Sequence, residues 1–409
     1  MPEAIQNNPN QPPADAQKRC DIISAIESER STKVITYVLS DRRGSQAQIA
    51  EDAVRPMYDH LRSLGDGKKI DLFLYSVGGH TEVPWRIVTM IRECADEFSV
   101  LIPYKALSAA TLIALGADEI FMGRKGELGP VDPQLSFQRG RDGETVVQEQ
   151  IAVEDIMSYV RFVREKSGLS DQSALVGPVT ALTNKLDPWI LGQINRVHSH
   201  IRSVARKLLT ARSKQQSPDE QRVQVIVETL TEKIYQHGHA IGRKEAEEIG
   251  LKITRPSESL EKLMWELYEE YENLCKLREP VEPRTFVPAG QDDHSEKVIM
   301  GAIESSEMSH HFSADLRGRN KRQVPPQLSL NLNLNLQLPP NINPAQLPSG
   351  AQQLFQQMVQ QLQQQLTSMI QDEVRKQMPI VGFEGWVQSG AWRRMRDWPT
   401  QKVPAAGSI

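Results

Sequence analysis

Ser108 opens a run of small and apolar residues, SAATLIALGA, directly after the apolar segment FSVLIPY. Thirty residues earlier, Gly78 and Gly79 close another apolar segment, KIDLFLYS. Acyl transfer needs an activated nucleophile, a base, and fixed N–H donors for the oxyanion that develops in the transition state. A serine at the head of a helix lies at the positive end of its dipole, where the amide of the next residue, Ala109, has no intrahelical partner. Glycines let a substrate backbone approach closely and turn their amides freely. The same residues have plainer uses. Serine is a favoured helix N-cap, and a diglycine can serve only as a tight turn.

The surrounding pattern supplies elements to hold these residues. Residues 33–40 (KVITYVLS) read as a strand, as do KIDLFLYS, FSVLIPY and DEIFMG. Between them, Ile49, Val54, Met57, Tyr58 and Leu61, and then Val83, Ile87, Val88 and Ile91, recur at helical spacing. Pro56 makes the first of these helices start late or bend. Strands alternating with helices imply right-handed crossovers and a mostly parallel sheet, and near-continuous apolar strands imply a sheet covered on both faces. Both Gly78-Gly79 and Ser108 then fall at the carboxyl edge of such a sheet, where α/β folds bind ligands. Further helices are expected at 152–167, 186–212, 218–236 and 257–276, with AIGRKEAEEIGLKI forming a short strand, turn, helix and closing strand.

From about Lys33 to Ile253, the stretches YSVGGHTEVPWRIVTMIREC and FSVLIPYKALSAATLIALGADEIFMGRKGELGPVDPQ, with AIGRKEAEEIGLKI, resemble the ClpP/crotonase superfamily. Within it, they are most similar to SppA-like serine peptidases of the bacterial serine dehydrogenase proteinase family. The resemblance implies an α/β fold of stacked ββα units with a mostly parallel sheet, followed here by a helical C-terminal extension. It places Ser108 at the nucleophile position, and Gly78 or Gly79 with Ala109 at the oxyanion hole. The histidine position of the ClpP triad falls near Asp132, and its aspartate position near His237 and His239, so the two residue types are exchanged. SppA-like enzymes use a lysine, and Lys125, Lys166 and Lys185 are the alternatives. His237 is the favoured base, oriented by Asp132, because imidazole suits proton acceptance near neutrality. Asp132 precedes Pro133 and can equally set a turn. No cofactor or metal is implied, and family members form trimers or larger rings, so a homo-oligomer is expected.

The 48 basic and 52 acidic residues leave a net charge of −4, which gives no bulk footprint for nucleic acid. Three widely spaced cysteines make neither a disulfide framework nor a metal motif, and suit a reducing compartment. No apolar run approaches a membrane span, and the polar N-terminus has no signal-peptide character, so a cytoplasmic protein is expected. Residues 1–25 are expected to be disordered and 26–276 to form the peptidase domain. An extension with a further strand (277–322) contains His310-His311 and a basic RGRNKR loop. A Pro/Asn/Leu-rich linker (323–350) precedes a Gln-rich amphipathic helix (351–378) whose apolar residues, Leu354 to Val374, recur in steps of four. That helix suits an oligomer or protein partner better than a membrane surface, since its polar face lacks Lys and Arg. Trp386, Trp392 and Trp398 in the tail (379–409) are costly to leave exposed and should dock onto a partner or onto the core.

Three functions are compatible with these features. The leading one is an ATP-independent serine peptidase acting on short or unfolded peptides. The others are a non-catalytic scaffold or binding module on the same fold, and a crotonase-type enzyme acting on an acyl thioester.

Overall fold

The computed structural model describes residues 14–132, 134–139, 147–166, 175–211, 219–233, 238–323, 348–396 and 398–399. The chain divides into two compact units, one of 1–280, 298–314 and 390–409, the other of 281–297 and 315–389.

In the first unit, the elements run α1 (Ala14–Arg30), β1 (Lys33–Leu39), α2 (Val54–Leu64), β2 (Lys68–Tyr75), α3 (Val83–Cys94), β3 (Ala95–Ile102), β4 (Lys105–Ala106), α4 (Ala109–Leu115), β5 (Glu119–Met122) and β6 (Glu127–Leu128). The hairpin β7 (Gln134–Arg139) and β8 (Val147–Ala152) follows, then α5 (Val153–Arg161), α6 (Val176–Thr183), α7 (Pro188–Thr210), α8 (Glu220–Glu228), α9 (Arg243–Ile249), β9 (Ile253–Thr254) and α10 (Glu258–Leu274). Strands β1, β2, β3, β5 and β9 pair in parallel in that order, each step crossing over through helix as the alternating pattern requires. The fold is therefore mixed α/β with a mostly parallel sheet, as the sequence implied.

Successive side chains of a strand face opposite sides of a sheet, and here both sides are buried. Val34, Val38, Phe73, Tyr75, Leu101 and Phe121 pack with Ile22, Ile23 and Ile26 of α1 and Leu260, Met264 and Leu267 of α10. Their alternates, among them Ile35, Leu72, Leu74, Val100 and Ile102, are fully buried as well. Val83, Ile87, Val88 and Ile91 of α3 are buried as their spacing predicted. Pro56 sits in the first turn of α2, where its missing N–H leaves no helical bond unmade; a single 3₁₀ turn, Glu51–Ala53, leads into it.

Two expectations change. The helix α1 occupies residues that the sequence reading left without order. Its apolar residues are few and scattered, but Cys20, Ile23 and Ile26 are sealed under α10, and Arg19 is buried against Glu304. The stretch with His310, His311 and RGRNKR is not a loop: β10 (Asp293–Glu304) and β11 (Ser309–Arg322) are long strands, and β12 (Ile380–Arg394) makes strand of much of the tail. The C-terminal extension is thus strand as well as helix. Strand β10 runs antiparallel to β1 through residues 301–304, and the sheet order is β12-β11-β10-β1-β2-β3-β5-β9. Trp398 folds back on the first unit, donating its indole N–H to the Ser305 carbonyl at 2.9 Å, and Trp392 packs beside Tyr37 and Phe312.

In the second unit, α12 (Ser349–Gln377) is the Gln-rich helix, with Leu354, Met358 and Met369 exposed along it. Phe286 packs edge-on against His294 and Phe383. The expected linker 324–347 and the N-terminal residues 1–13 lie outside the described residues.

Candidate active site

The site is built where β2 and β4 end. Strand β2 continues into Ser76, whose N–H donates to the Lys105 carbonyl (2.9 Å) and whose carbonyl accepts from Leu107 N–H (3.0 Å). This parallel bridge ties the diglycine turn to the segment that carries Ser108. On the other side, Ile49 N–H donates to Gly78 O (2.9 Å) and His80 N–H to Ile49 O (2.8 Å).

Gly78 has φ +115° and Gly79 φ +154°, both in backbone regions that side chains rarely adopt. Space demands glycine as strictly as conformation does. A Cβ on Gly79 would fall 2.3 Å from the Ile49 carbonyl oxygen. A Cβ on Gly78 would fall 2.8 Å from Ser108 Cβ and 3.3 Å from Ser108 Oγ. The half-buried Ser108 side chain therefore lies directly against the diglycine corner.

Ser108 itself is strained, with φ +52° and ψ −114°. A capping serine takes an extended conformation and accepts a bond from the helix's first turn. Ser108 does neither: its hydroxyl makes no cap bond and no hydrogen bond to any described residue. A non-glycine residue held at positive φ costs about 1–3 kcal/mol and persists where surrounding structure enforces it, often at functional sites. The plain N-cap reading is thereby excluded.

The two glycine amides are not equivalent. Gly78 N–H donates to the buried Ser76 Oγ at 3.1 Å. Neither Gly79 N–H nor Ala109 N–H donates to any described residue, so Gly79 rather than Gly78 is the donor left over. Thr111, fully buried in α4, fixes the next wall: its Oγ1 lies 2.8 Å from the Ala106 carbonyl and 2.9 Å from the Gly129 carbonyl, and accepts from Gly129 N–H at 3.1 Å. Thus the GELGP segment is fastened to the helix behind Ser108. Neither Ser76 nor Thr111 was singled out from sequence, although each sits at a telling offset, two residues before the diglycine and three after the serine.

Asp132 is nearly buried, at 9 % exposure. His237 lies outside the described residues. The segments flanking it are nonetheless placed: Val131 N–H donates to Leu230 O (2.8 Å), and Leu128 and Ile241 exchange backbone bonds of 2.9 and 2.8 Å. The stretch carrying Asp132 therefore runs beside the two ends of the stretch that carries His237. His239 pairs with Glu245 at 2.7 Å. Lys125 is bonded to Glu127 at 2.7 Å, which raises its pKa and keeps it protonated. Lys105, shortly before the serine in sequence, is held by Asp41 at 2.7 Å and is likewise raised, its burial notwithstanding. Neither of these two lysines is suited to accept a proton at neutrality. Lys185 is exposed after α6, and the Lys166 side chain is outside the described residues. Among the described residues, no group of three or more His, Cys, Asp or Glu side chains is arranged to hold a metal, and no helix is long and apolar enough to cross a membrane.

Residues 11–155 match the family model described as ClpP-like SDH-type serine proteinase. A protein of Methanocaldococcus jannaschii, itself uncharacterised, is 30 % identical over 157 residues, 34 % of this chain and 52 % of its own. A second uncharacterised protein of that organism is 27 % identical over 265 residues, 62 % of this chain and 79 % of its own. The chain thus spans about half the length of the first relative. Among solved structures, ClpP1 from Listeria monocytogenes aligns at 14 % identity over 60 % of this chain and 98 % of its own, with a TM-score of 0.31.

Proposed function

We propose, given that residues 11–155 match the ClpP-like SDH-type serine proteinase family, that this protein is a serine peptidase using Ser108 as nucleophile. The observation that carries the reading is Ser108, on a strained backbone and with a hydroxyl bonded to no described residue, set against Gly78 beside the Gly79 and Ala109 amides, which donate to no described residue. In this account Ser108 Oγ attacks the peptide carbonyl carbon. The Gly79 and Ala109 N–H groups receive the negative charge on the carbonyl oxygen. His237, oriented by Asp132, takes the serine proton and returns it to the leaving amine. Water then hydrolyses the acyl-enzyme, with the same base activating it. The substrate is an extended short or unfolded peptide, and neither ATP nor a metal takes part in the scheme.

Hydrolysis of an unfolded protein substrate at pH 7 by wild type, Ser108→Ala and His237→Ala tests the reading. Wild type should cleave and Ser108→Ala should not. His237→Ala should lose at least about 10²-fold, the usual worth of a general base. Equal cleavage by wild type and Ser108→Ala would refute the peptidase, and unchanged turnover in His237→Ala would refute the base.

A further inference from the structure

We propose that Ser76 is a positioning residue that sets which amide of the diglycine corner faces the reaction, an inference that rests on the peptidase reading above. Ser76 is completely buried. Its main chain is committed on both sides to the segment leading into Ser108, through Lys105 O and Leu107 N–H. Its hydroxyl oxygen accepts the Gly78 N–H at 3.1 Å and lies 3.4 Å from the Gly78 carbonyl oxygen, which Ile49 N–H already occupies at 2.9 Å. One residue therefore holds the nucleophile's segment with its backbone and the diglycine turn with its side chain.

The peptide linkage between Val77 and Gly78 needs such a restraint. Glycine has the widest choice of backbone conformations, and both Gly78 and Gly79 sit at positive φ. A buried amide without a partner is unfavourable, and the peptide will rotate to find one. Removing the Ser76 hydroxyl leaves the N–H of the buried Gly78 without the acceptor it now uses. Backbone rotation at Gly78 that recovers one also carries the next N–H, that of Gly79, off its line. Ser76 touches neither the substrate nor the reacting atoms, and its effect reaches catalysis through that amide.

The test compares wild type, Ser76→Ala and, as a control, Ser45→Ala. Ser45 is also buried, but its hydroxyl has no hydrogen-bond partner among the described residues, so its removal deletes an interior serine without releasing any bond they make. Two readouts are taken on folded protein, checked by its unfolding transition. Removing one oxyanion donor slows turnover by about 10²–10³-fold, so a displaced donor should slow Ser76→Ala by about 10- to 100-fold in kcat, with KM changed less than about threefold. Binding of a peptide boronate, which mimics the tetrahedral intermediate, should weaken in parallel, while Ser45→Ala stays at wild-type values. The second readout needs no activity: hydrogen exchange of the Gly78 amide should accelerate about tenfold or more in Ser76→Ala, as expected where a buried hydrogen bond is lost, and remain unchanged in Ser45→Ala. Wild-type kcat or boronate affinity in Ser76→Ala would overturn the proposal, and so would unchanged Gly78 exchange. Failure of the peptidase reading shows differently, as wild-type protein whose turnover does not depend on Ser108.

Discussion

Replacing Gly78 with alanine separates backbone strain from damage to the site, because the structure offers a matched comparison at Gly65. Both glycines have positive φ, +115° and +77°. An added Cβ on Gly65 meets nothing within 4 Å, whereas one on Gly78 meets Ser108 Cβ at 2.8 Å and the Leu107 carbonyl at 3.1 Å. Gly65→Ala should therefore cost only the conformational penalty of its backbone, φ +77° and ψ 170°, a region kept almost entirely for glycine, about 1–3 kcal/mol. Gly78→Ala adds an over-packed contact of about 1–3 kcal/mol to a conformational cost of similar size. The total, about 2–6 kcal/mol, is below most of the 5–15 kcal/mol stability range of ordinary domains, so the variant should fold at 25 °C. The contact cannot be relieved at the far end of a flexible side chain, since the obstacle is the first carbon of the nucleophile. Ser108 must shift, and a misplacement approaching 1 Å costs about 10²-fold in rate. Denaturant unfolding gives the two stability losses, and the rate of acylation by a chromogenic ester gives the activities. Gly65→Ala should acylate at the wild-type rate and Gly78→Ala about 10²-fold slower. A folded Gly78→Ala that acylates at the wild-type rate would refute the juxtaposition of Gly78 and Ser108.

Thr111→Val keeps shape but strands the Gly129 N–H and removes the hydroxyl from two carbonyls; it should cost about 1–3 kcal/mol in denaturant unfolding and slow turnover without abolishing it. Acid stability should carry the signature of buried His60. Burial, reinforced by His310 nearby, lowers its pKa to about 3, and its ring nitrogens lie 2.9 Å from Ser305 Oγ and 3.1 Å from His310 Nδ1. The unfolded chain takes up this proton near pH 6.5 and the folded chain does not, so the contribution is intact above that pH and is lost as pH falls toward 3. The slope due to His60 is at most about 1.4 kcal/mol per pH unit. Glu304, held to about 2 by the cationic and hydrogen-bonding groups around it despite its burial, stays ionised until lower pH and adds its own loss only below about 4.5. Urea midpoints measured between pH 7 and 5 should fall for wild type and fall less steeply for His60→Gln; equal slopes would contradict this assignment.

Most of the parallel sheet was legible because β1, β2 and β3 are buried on both faces and so appear as unbroken apolar runs, while α3 shows its buried stripe at helical spacing. The place of Ser108 at the head of a helix was legible for the same reason: it stands where one such run gives way to small residues. Other features depend on contacts distant in sequence. The helix α1 has no clear apolar stripe, yet Arg19 is held by Glu304, 285 residues away. Strand β11 contains His310, His311 and the basic residues Arg317, Arg319, Lys321 and Arg322, which read as solvated loop. Its first residues are instead interior, where Ser309 and His311 both bond Glu304. The choice between Gly78 and Gly79 could not be made from a diglycine alone. It depends on the Ser76 hydroxyl, a hydrogen bond that leaves no periodic trace in the sequence.

The most direct measurement is mass-spectrometric identification of the residue modified by a fluorophosphonate, which forms a bond only with an activated hydroxyl. The account predicts stoichiometric modification at Ser108 in folded protein at neutral pH, suppressed by acid unfolding and absent from Ser108→Ala. Modification at another serine, or a Ser108 that reacts no faster than in the urea-unfolded chain, would contradict it.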